Sequence, residues 1–163
     1  MENTNHYAVI IIGGGQSGLS TGYHLSKSGV RFLILDASER VGDSWRNRWD
    51  SLRLFTPCKY SSLPGLQFPA PKYSFPTKDE MADYLEQYAK HFQLPVRSGV
   101  RVDALWREGV VYKIRSGNEI FETEHVVVAM SNYQHPKIPS VAKELDKQIT
   151  QLHSSEYKNP SQL

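Results

Sequence analysis

Residues 7–18 read YAVIIIGGGQSG, and each part of that stretch has a natural conformation. Residues 8–12 are a short unbroken apolar run, as a strand buried on both faces requires. The run passes directly into Gly13-Gly14-Gly15-Gln16-Ser17-Gly18, a tight turn that opens a helix. In such a turn Gly13 permits the change of direction and Gly15 lets a pyrophosphate approach the backbone with no Cβ in the way. Gly18 lets the helix lie close on the strand, and Gly22 extends that close packing by one turn. The helix start, at Gln16 and Ser17, presents free N–H groups and the positive end of its dipole to the phosphates.

A glycine turn alone is weak evidence, and its surroundings supply the specificity. Residues 32–35 form a second apolar strand that ends at Asp36, 18 residues beyond Gly18. An acid at that place accepts hydrogen bonds from a pair of ribose hydroxyls and argues against a 2′-phosphate on this nucleotide. The intervening helix spans residues 16–28, with Leu19, Tyr23 and Leu25 as apolar contacts and Gly29 as its left-handed stop. The opening is a complete βαβ unit.

Length and composition bound the rest. The 163 residues suit one domain, and 39% hydrophobic content allows one core. Nineteen basic and 17 acidic residues give a formal net charge of +2, with the signs interspersed, so a nucleic-acid partner has no support. No apolar run approaches the ~20 residues of a membrane span and no cleavable signal pattern appears, so the chain is read as cytoplasmic with no membrane partner. Cys58 is the only cysteine. It forms no internal disulfide and no CxxC redox pair, and its loop reads as holding a partly buried thiol. His24, His91, His125 and His135 lack metal-ligand spacing, so no metal site is expected.

Residues 37–76 show no clear period, and a loop this long inside a domain is functional or disordered. Trp45, Trp49, Leu52, Leu54, Phe55, Leu63, Leu66 and Phe68 are too apolar for disorder and are expected to leave water. Thr77-Lys78-Asp79-Glu80 is a capping box. Behind it Met81, Tyr84, Leu85, Tyr88 and Phe92 recur at helical spacing and read as one buried core face. Residues 100–105 read as a third strand. Residues 110–115, a turn at Ser116-Gly117-Asn118 and residues 119–123 read as a hairpin. Residues 125–131 read as a further doubly buried strand that returns to the parallel sheet. Beyond it come turn signals at His135-Pro136 and Ile138-Pro139, a short polar helical stretch near residues 141–148, and an extended end at Asn159-Pro160.

Four stretches, GGGQSG at 13–18, DASERVGDSW at 36–45, WDSLRLFTP at 49–57 and VVVAMSNYQHPKIP at 126–139, resemble the FAD-binding half of flavoproteins with two dinucleotide-binding domains. More narrowly, they resemble the flavin-containing monooxygenases, in the group that includes the YUCCA enzymes and bacterial flavoproteins associated with metal-cation efflux. The resemblance implies a Rossmann-like α/β FAD-binding domain with a central parallel sheet and a small antiparallel hairpin or meander. The resemblance covers residues 7–163, and the domain it implies, residues 1–163, is incomplete as it stands, because in the family a second glycine fingerprint, for NADPH, begins soon after the position of Leu163.

The implied FAD-binding residues are Gly13, Gly15, Gln16, Ser17, Gly18, Asp36, Ala37, Arg40, Gly42, Ser44, Trp45, Val102, Ala129, Met130 and Ser131. Among them the loop of Gly42, Asp43, Ser44 and Trp45 closes over the flavin side, and Ala129, Met130 and Ser131 approach from the C-terminal sheet edge. Of Arg40, Arg46, Arg48 and Arg53, Arg40 matches a family position and is the candidate for neutralising the pyrophosphate; the set otherwise reads as a solvated face. The chain departs from the family in having Met130-Ser131 for the usual Thr-Gly and Asp43 for a frequent second glycine. The monooxygenase signature FxGxxxHxxxF survives only as His153 and Tyr157, and His153 alone in a Ser-rich turn also reads as a capping residue.

The resemblance implies a parent enzyme in which NADPH reduces FAD and the flavin passes oxygen from dioxygen to a nucleophilic nitrogen or sulfur or to a ketone of a small-molecule substrate. No catalytic side chain is named, because the cofactor carries the chemistry. Two alternatives stay open: a non-catalytic module that holds FAD or another nucleotide, completed by a missing C-terminal half or a second copy, and an NAD-dependent dehydrogenase.

Overall fold

The computed structural model describes residues 6–133 and 135–163. The polar start at residues 1–5, and Gln134 within the late-strand motif, lie outside the described residues. A six-stranded sheet of order β3-β2-β1-β6-β5-β4 organises the chain. Strand β1 (His6–Ile12) pairs in parallel with β2 (Phe32–Leu35) and β6 (Glu119–Val128), and β2 pairs in parallel with β3 (Val96–Arg97). Strands β4 (Ala104–Glu108) and β5 (Val111–Ser116) add antiparallel neighbours beyond β6. The fold is thus α/β, mostly parallel with an antiparallel extension.

The period-two pattern of a strand sorts the core into two layers. From β1, Val9 and Ile11 join Leu19, Ile34, Met81, Tyr84 and Leu85 on the helix-covered face. Ile10 and Ile12 join Leu33, Leu35, Ile114 and Phe121 on the other. Ile10 and Ile11 are both fully buried, each contributing about 1.5–3 kcal/mol. Helix α1 (Gln16–Lys27) follows the glycine turn and stops at Gly29 (φ +67°), as expected. A single turn, α2 (Asp43–Arg46), comes next, and then α3 (Lys78–His91). The capping box of α3 forms as read, with the Thr77 hydroxyl accepting from Glu80 N and Glu80 accepting from Thr77 N.

Several boundaries differ from expectation. Residues 100–105 are not one strand. Gly99 takes φ +70°, and the N–H groups of Gly99 and Val100 donate to Ser38 O and Asp36 O. These bonds stitch the segment to the turn after β2, and the ladder resumes only at β4. The two expected strands 119–123 and 125–131 are one, since β6 pairs with β5 from Glu119 to Thr123 and with β1 from Glu122 to Val128, the two ladders overlapping at Glu122 and Thr123. Nor is its second half doubly buried: Val126 and Val127 are half-buried and Val128 is 63% exposed, because β5 stops pairing at Thr123 and leaves that edge open. The hairpin turn narrows to Gly117-Asn118, with Ser116 paired to Glu119. The stretch near 141–148 is only a 3-10 turn, Ser140–Glu144, after Pro139. The chain end is a 3-10 turn, Pro160–Gln162, capped by Asn159.

The long loop is ordered by tyrosines from α3. Tyr84 Oη accepts from Leu63 N (2.6 Å) and donates to Leu66 O (2.7 Å), while Tyr88 Oη donates to Pro64 O (2.7 Å). Most of the loop's apolar residues are covered, but Phe55 is 94% exposed. Leu54 N bonds Pro76 O in an extended pairing that turns Leu54 inward and its neighbour outward. Burial, with Tyr84 and Tyr23 alongside, pushes the Tyr88 phenol up to about 12. Its ionisation is therefore harder in the folded chain than in the unfolded one. The associated stability is complete below pH ~10 and is lost as pH rises through about 12. Replacing Tyr88 by phenylalanine is expected to cost about 1 kcal/mol at neutral pH, for the lost Pro64 bond, and to flatten the alkaline decline. Urea titrations on either side of pH ~10 check both parts.

Candidate functional site

Three chain segments converge at the C-terminal edge of the parallel strands. Gly13 N donates to Leu35 O (2.7 Å) and Ala129 N to Ile12 O (2.8 Å), so the glycine turn sits between the ends of β2 and β6. The fit is too close for side chains. A Cβ on Gly13 (φ +110°) would lie 2.6 Å from Ala129 O, and one on Gly18 would lie 1.9 Å from Gly13 O. At Gly15 the situation reverses, because a Cβ there would meet nothing within 4 Å. Gly13 and Gly18 serve the fold, and Gly15 faces open space.

That open space lies at the start of α1. Gly15 is the N-cap, no side chain caps it, and the first turn contains no acid. Helix α3, by contrast, closes its own N-terminus with Thr77 and Glu80. The α1 end thus retains its positive character, with Gln16 and Ser17 exposed. Asp36 stands beside it: Oδ2 accepts from Gly14 N (2.5 Å) and Oδ1 from Ser38 N (2.8 Å). Each carboxylate oxygen has a further lone pair, so these bonds orient Asp36 without exhausting it.

The remaining expected residues are distributed around this edge. Ala37 is exposed, and Val102 packs half-buried on the second core layer. Ala129 is half-buried, and Met130 and Ser131 are exposed at the end of β6. Ser131 has φ +63°, the region glycine enters freely and other L-residues enter at about 1–2 kcal/mol. Ser131 therefore holds a conformation that a glycine at this position would take without that cost. Gly42 (φ +92°) is pressed on α3, where a Cβ would come 2.5 Å from Ala82 O. Ser44 is exposed, and Trp45 packs partly on the core.

A cleft of about 200 Å³ runs from Gln16 past Trp45 to Leu52, Leu54, Phe55, Tyr60 and Ser61. Apart from Trp45, its loop residues were not among the expected site residues, because an aperiodic apolar loop does not reveal which side chains line a surface. The arginines also divide differently from the reading of a solvated face. The Arg40 guanidinium is held by Glu86, at 2.5 Å for the closest pair. Arg46, only 17% exposed, reaches Asp43 (3.1 Å), Asp83 (2.9 Å) and Glu86 (2.9 Å) together. The Arg40 bond, with the charge of Arg46 added, holds the Glu86 carboxyl below the usual range. His153 lies in a second cleft of about 220 Å³, beside Lys137, Ile138 and Glu156. Its Nδ1 accepts from Ser155 N (3.2 Å), the local capping role that its Ser-rich turn suggested.

No helix among the described residues is long and apolar enough to cross a membrane. Comparison with known proteins agrees with the geometry. The chain is 43% identical over 157 residues to the uncharacterized oxidoreductase CzcO of Bacillus subtilis, covering 96% of this chain and 46% of that protein. It is 31% identical to the indole-3-pyruvate monooxygenase YUCCA1 of rice (Oryza sativa subsp. japonica), covering 94% of this chain and 39% of that one. A solved flavin monooxygenase from Stenotrophomonas maltophilia, a Q193R H194T mutant, superposes with a TM-score of 0.88 at 33% identity, over 98% of this chain and 48% of that one. The chain thus spans less than half the length of these relatives. The sequence profile of one family matches residues 10–163, nearly everything from β1 onward, and the chain belongs to that family, the pyridine nucleotide-disulphide oxidoreductases.

Proposed function

We propose that residues 1–163 form the FAD-binding part of an NAD(P)H-dependent flavin monooxygenase. The observation that carries this reading is the open face above Gly15 at an uncapped helix start. It is the cradle that a pyrophosphate needs and that a Cβ would fill. The N–H groups of Gly15, Gln16 and Ser17 bind the phosphates, and Gly13 and Gly18 hold the turn that aims them. Asp36 accepts from the ribose hydroxyls through the lone pairs left by Gly14 and Ser38, with Ala37 and Val102 in the same candidate set.

Trp45, Leu52 and Leu54 offer an apolar wall to a flat ring system, near the turn of Gly42 and Ser44. Ala129, Met130 and Ser131 complete the set at the sheet edge. Arg40 stays in the candidate set for its family position alone, because its guanidinium is paired with Glu86, which offsets its charge. When bound, FAD supplies the redox chemistry, accepting hydride from a nicotinamide donor and delivering oxygen from dioxygen to a small molecule. The protein's task is to hold, orient and shield it. The names of the rice and S. maltophilia relatives support the oxygenase half of this reading. A nucleophilic nitrogen or sulfur, or a ketone, is the substrate class this proposal carries over from the resemblance in sequence.

Titration of the 163-residue chain with FAD, ADP and NADH, followed by calorimetry, tests the reading. FAD is expected to bind more tightly than NADH by about tenfold or more. The reverse order would favour the dehydrogenase alternative, and no binding of either would remove the nucleotide site.

A further inference from the structure

We propose that Arg46 is a positioning residue, the clamp that sets Trp45 in the wall of the cleft for a flavin ring; this rests on the FAD reading above. Helix α2 is a single turn of four residues, far below the length at which a helix holds itself. No side chain caps its N-terminus. Its orientation must therefore come from ties to the rest of the fold, and most of them pass through Arg46.

The guanidinium donates to Val41 O (2.7 Å) and Asp43 Oδ1 (3.1 Å) on its own loop. It also donates to Asp83 Oδ1 (2.9 Å) and Glu86 Oε2 (2.9 Å) on α3. Nη2 serves Asp83 and Glu86, which share a face of α3 three residues apart, while Nη1 serves Val41 O and Asp43 on the loop. The planar fork thus bridges the turn to α3 through two fixed nitrogens, which the single nitrogen of an ammonium does not. Lys78 Nζ, also from α3, donates to Arg46 O (3.2 Å). Gly42 lies directly on the α3 backbone, which leaves the turn one distance from α3 and lets the fork fix its rotation. Trp45 is the neighbour of that clamp, packed against the core on one side and lining the cleft with Gln16 on the other. Four donor contacts from a mostly covered guanidinium, with a fifth bond accepted by the Arg46 carbonyl, exceed what a four-residue turn needs for attachment alone.

The test compares Arg46→Met and Arg46→Lys with the unaltered chain, reading the Kd for FAD, the Kd for ADP, the visible circular dichroism of bound flavin, and Tm. The expected result is that ADP affinity stays within about twofold while FAD affinity falls about tenfold or more in Arg46→Met. The flavin dichroism changes in both variants, and Arg46→Lys, which keeps the charge and loses the fork, is intermediate in affinity. Should Arg46→Met fail to fold, Arg46→Lys carries the same comparison. Equal weakening of FAD and ADP, or unchanged FAD affinity and dichroism in a folded variant, would overturn the proposal. An unaltered chain that binds ADP but not FAD would instead overturn the FAD reading, and the positioning role with it.

Discussion

Replacing Gly18 by alanine is expected to abolish the folded state. The added Cβ would lie 1.9 Å from Gly13 O and 3.0 Å from Gly13 C, and both are backbone atoms that cannot rotate away. Gly13 is itself fixed, since its N–H is bonded to Leu35 O and the adjoining Ile12 O is bonded to Ala129 N. Relief would require moving α1 off the central strand, where Leu19 is fully buried. A single methyl here should cost more than about 4 kcal/mol, against a total stability of about 5–15 kcal/mol for a domain. Far-ultraviolet circular dichroism and urea titration would show loss of the cooperative transition. A Tm within a few degrees of the parent would mean that the turn yields more easily than its contacts indicate.

Gly15→Val is expected to do the opposite, leaving the fold intact and removing the ligand. Gly15 has φ −81° and ψ −169°, an extended backbone that any residue adopts, and its Cβ direction is empty. Thermal unfolding should therefore match the parent. FAD affinity should fall at least about 100-fold, because the side chain fills the space the pyrophosphate would take and screens the α1 N–H groups from it. The two glycines lie three residues apart in one motif, yet one variant reads out stability and the other binding. Retained FAD affinity in a folded Gly15→Val chain would mean that the phosphates sit elsewhere.

The glycine turn was legible in the sequence because its demands are local: a positive φ at Gly13 and the close crossing of Gly18 on Gly13 each exclude a side chain for a nearby reason, while Gly15 leaves an open approach. The α3 cap was legible likewise, since Thr77 and Glu80 satisfy each other within one turn. What escaped depended on distant partners. The continuity of β6 was hidden because Glu124 and His125 interrupt its apolar pattern, while the strand gains its pairing from β1 on one side and β5 on the other. Arg46 looked like one solvated charge among four because Asp83 and Glu86 lie far along the chain, and only the seating of Gly42 on Ala82 brings them within reach. Phe55 was expected inside with its loop neighbours. The extended pairing at Leu54 decides which residues of that loop face outward, and periodicity does not report it. At the candidate site the glycine turn and Asp36 could be read from the sequence, whereas the cleft wall of Leu52, Leu54 and Tyr60 needed the folded loop.

Amide chemical-shift mapping by two-dimensional NMR of the ¹⁵N-labelled chain, with FAD added, addresses the phosphate site directly. The largest shifts are expected at Gly14, Gly15, Gln16 and Ser17, with further changes at Asp36, Trp45 and Ala129. Shifts that spare the glycine turn and gather instead around Ile138, Ala142, Leu152 and His153, in the second cleft, would contradict the placement of the nucleotide at the start of α1.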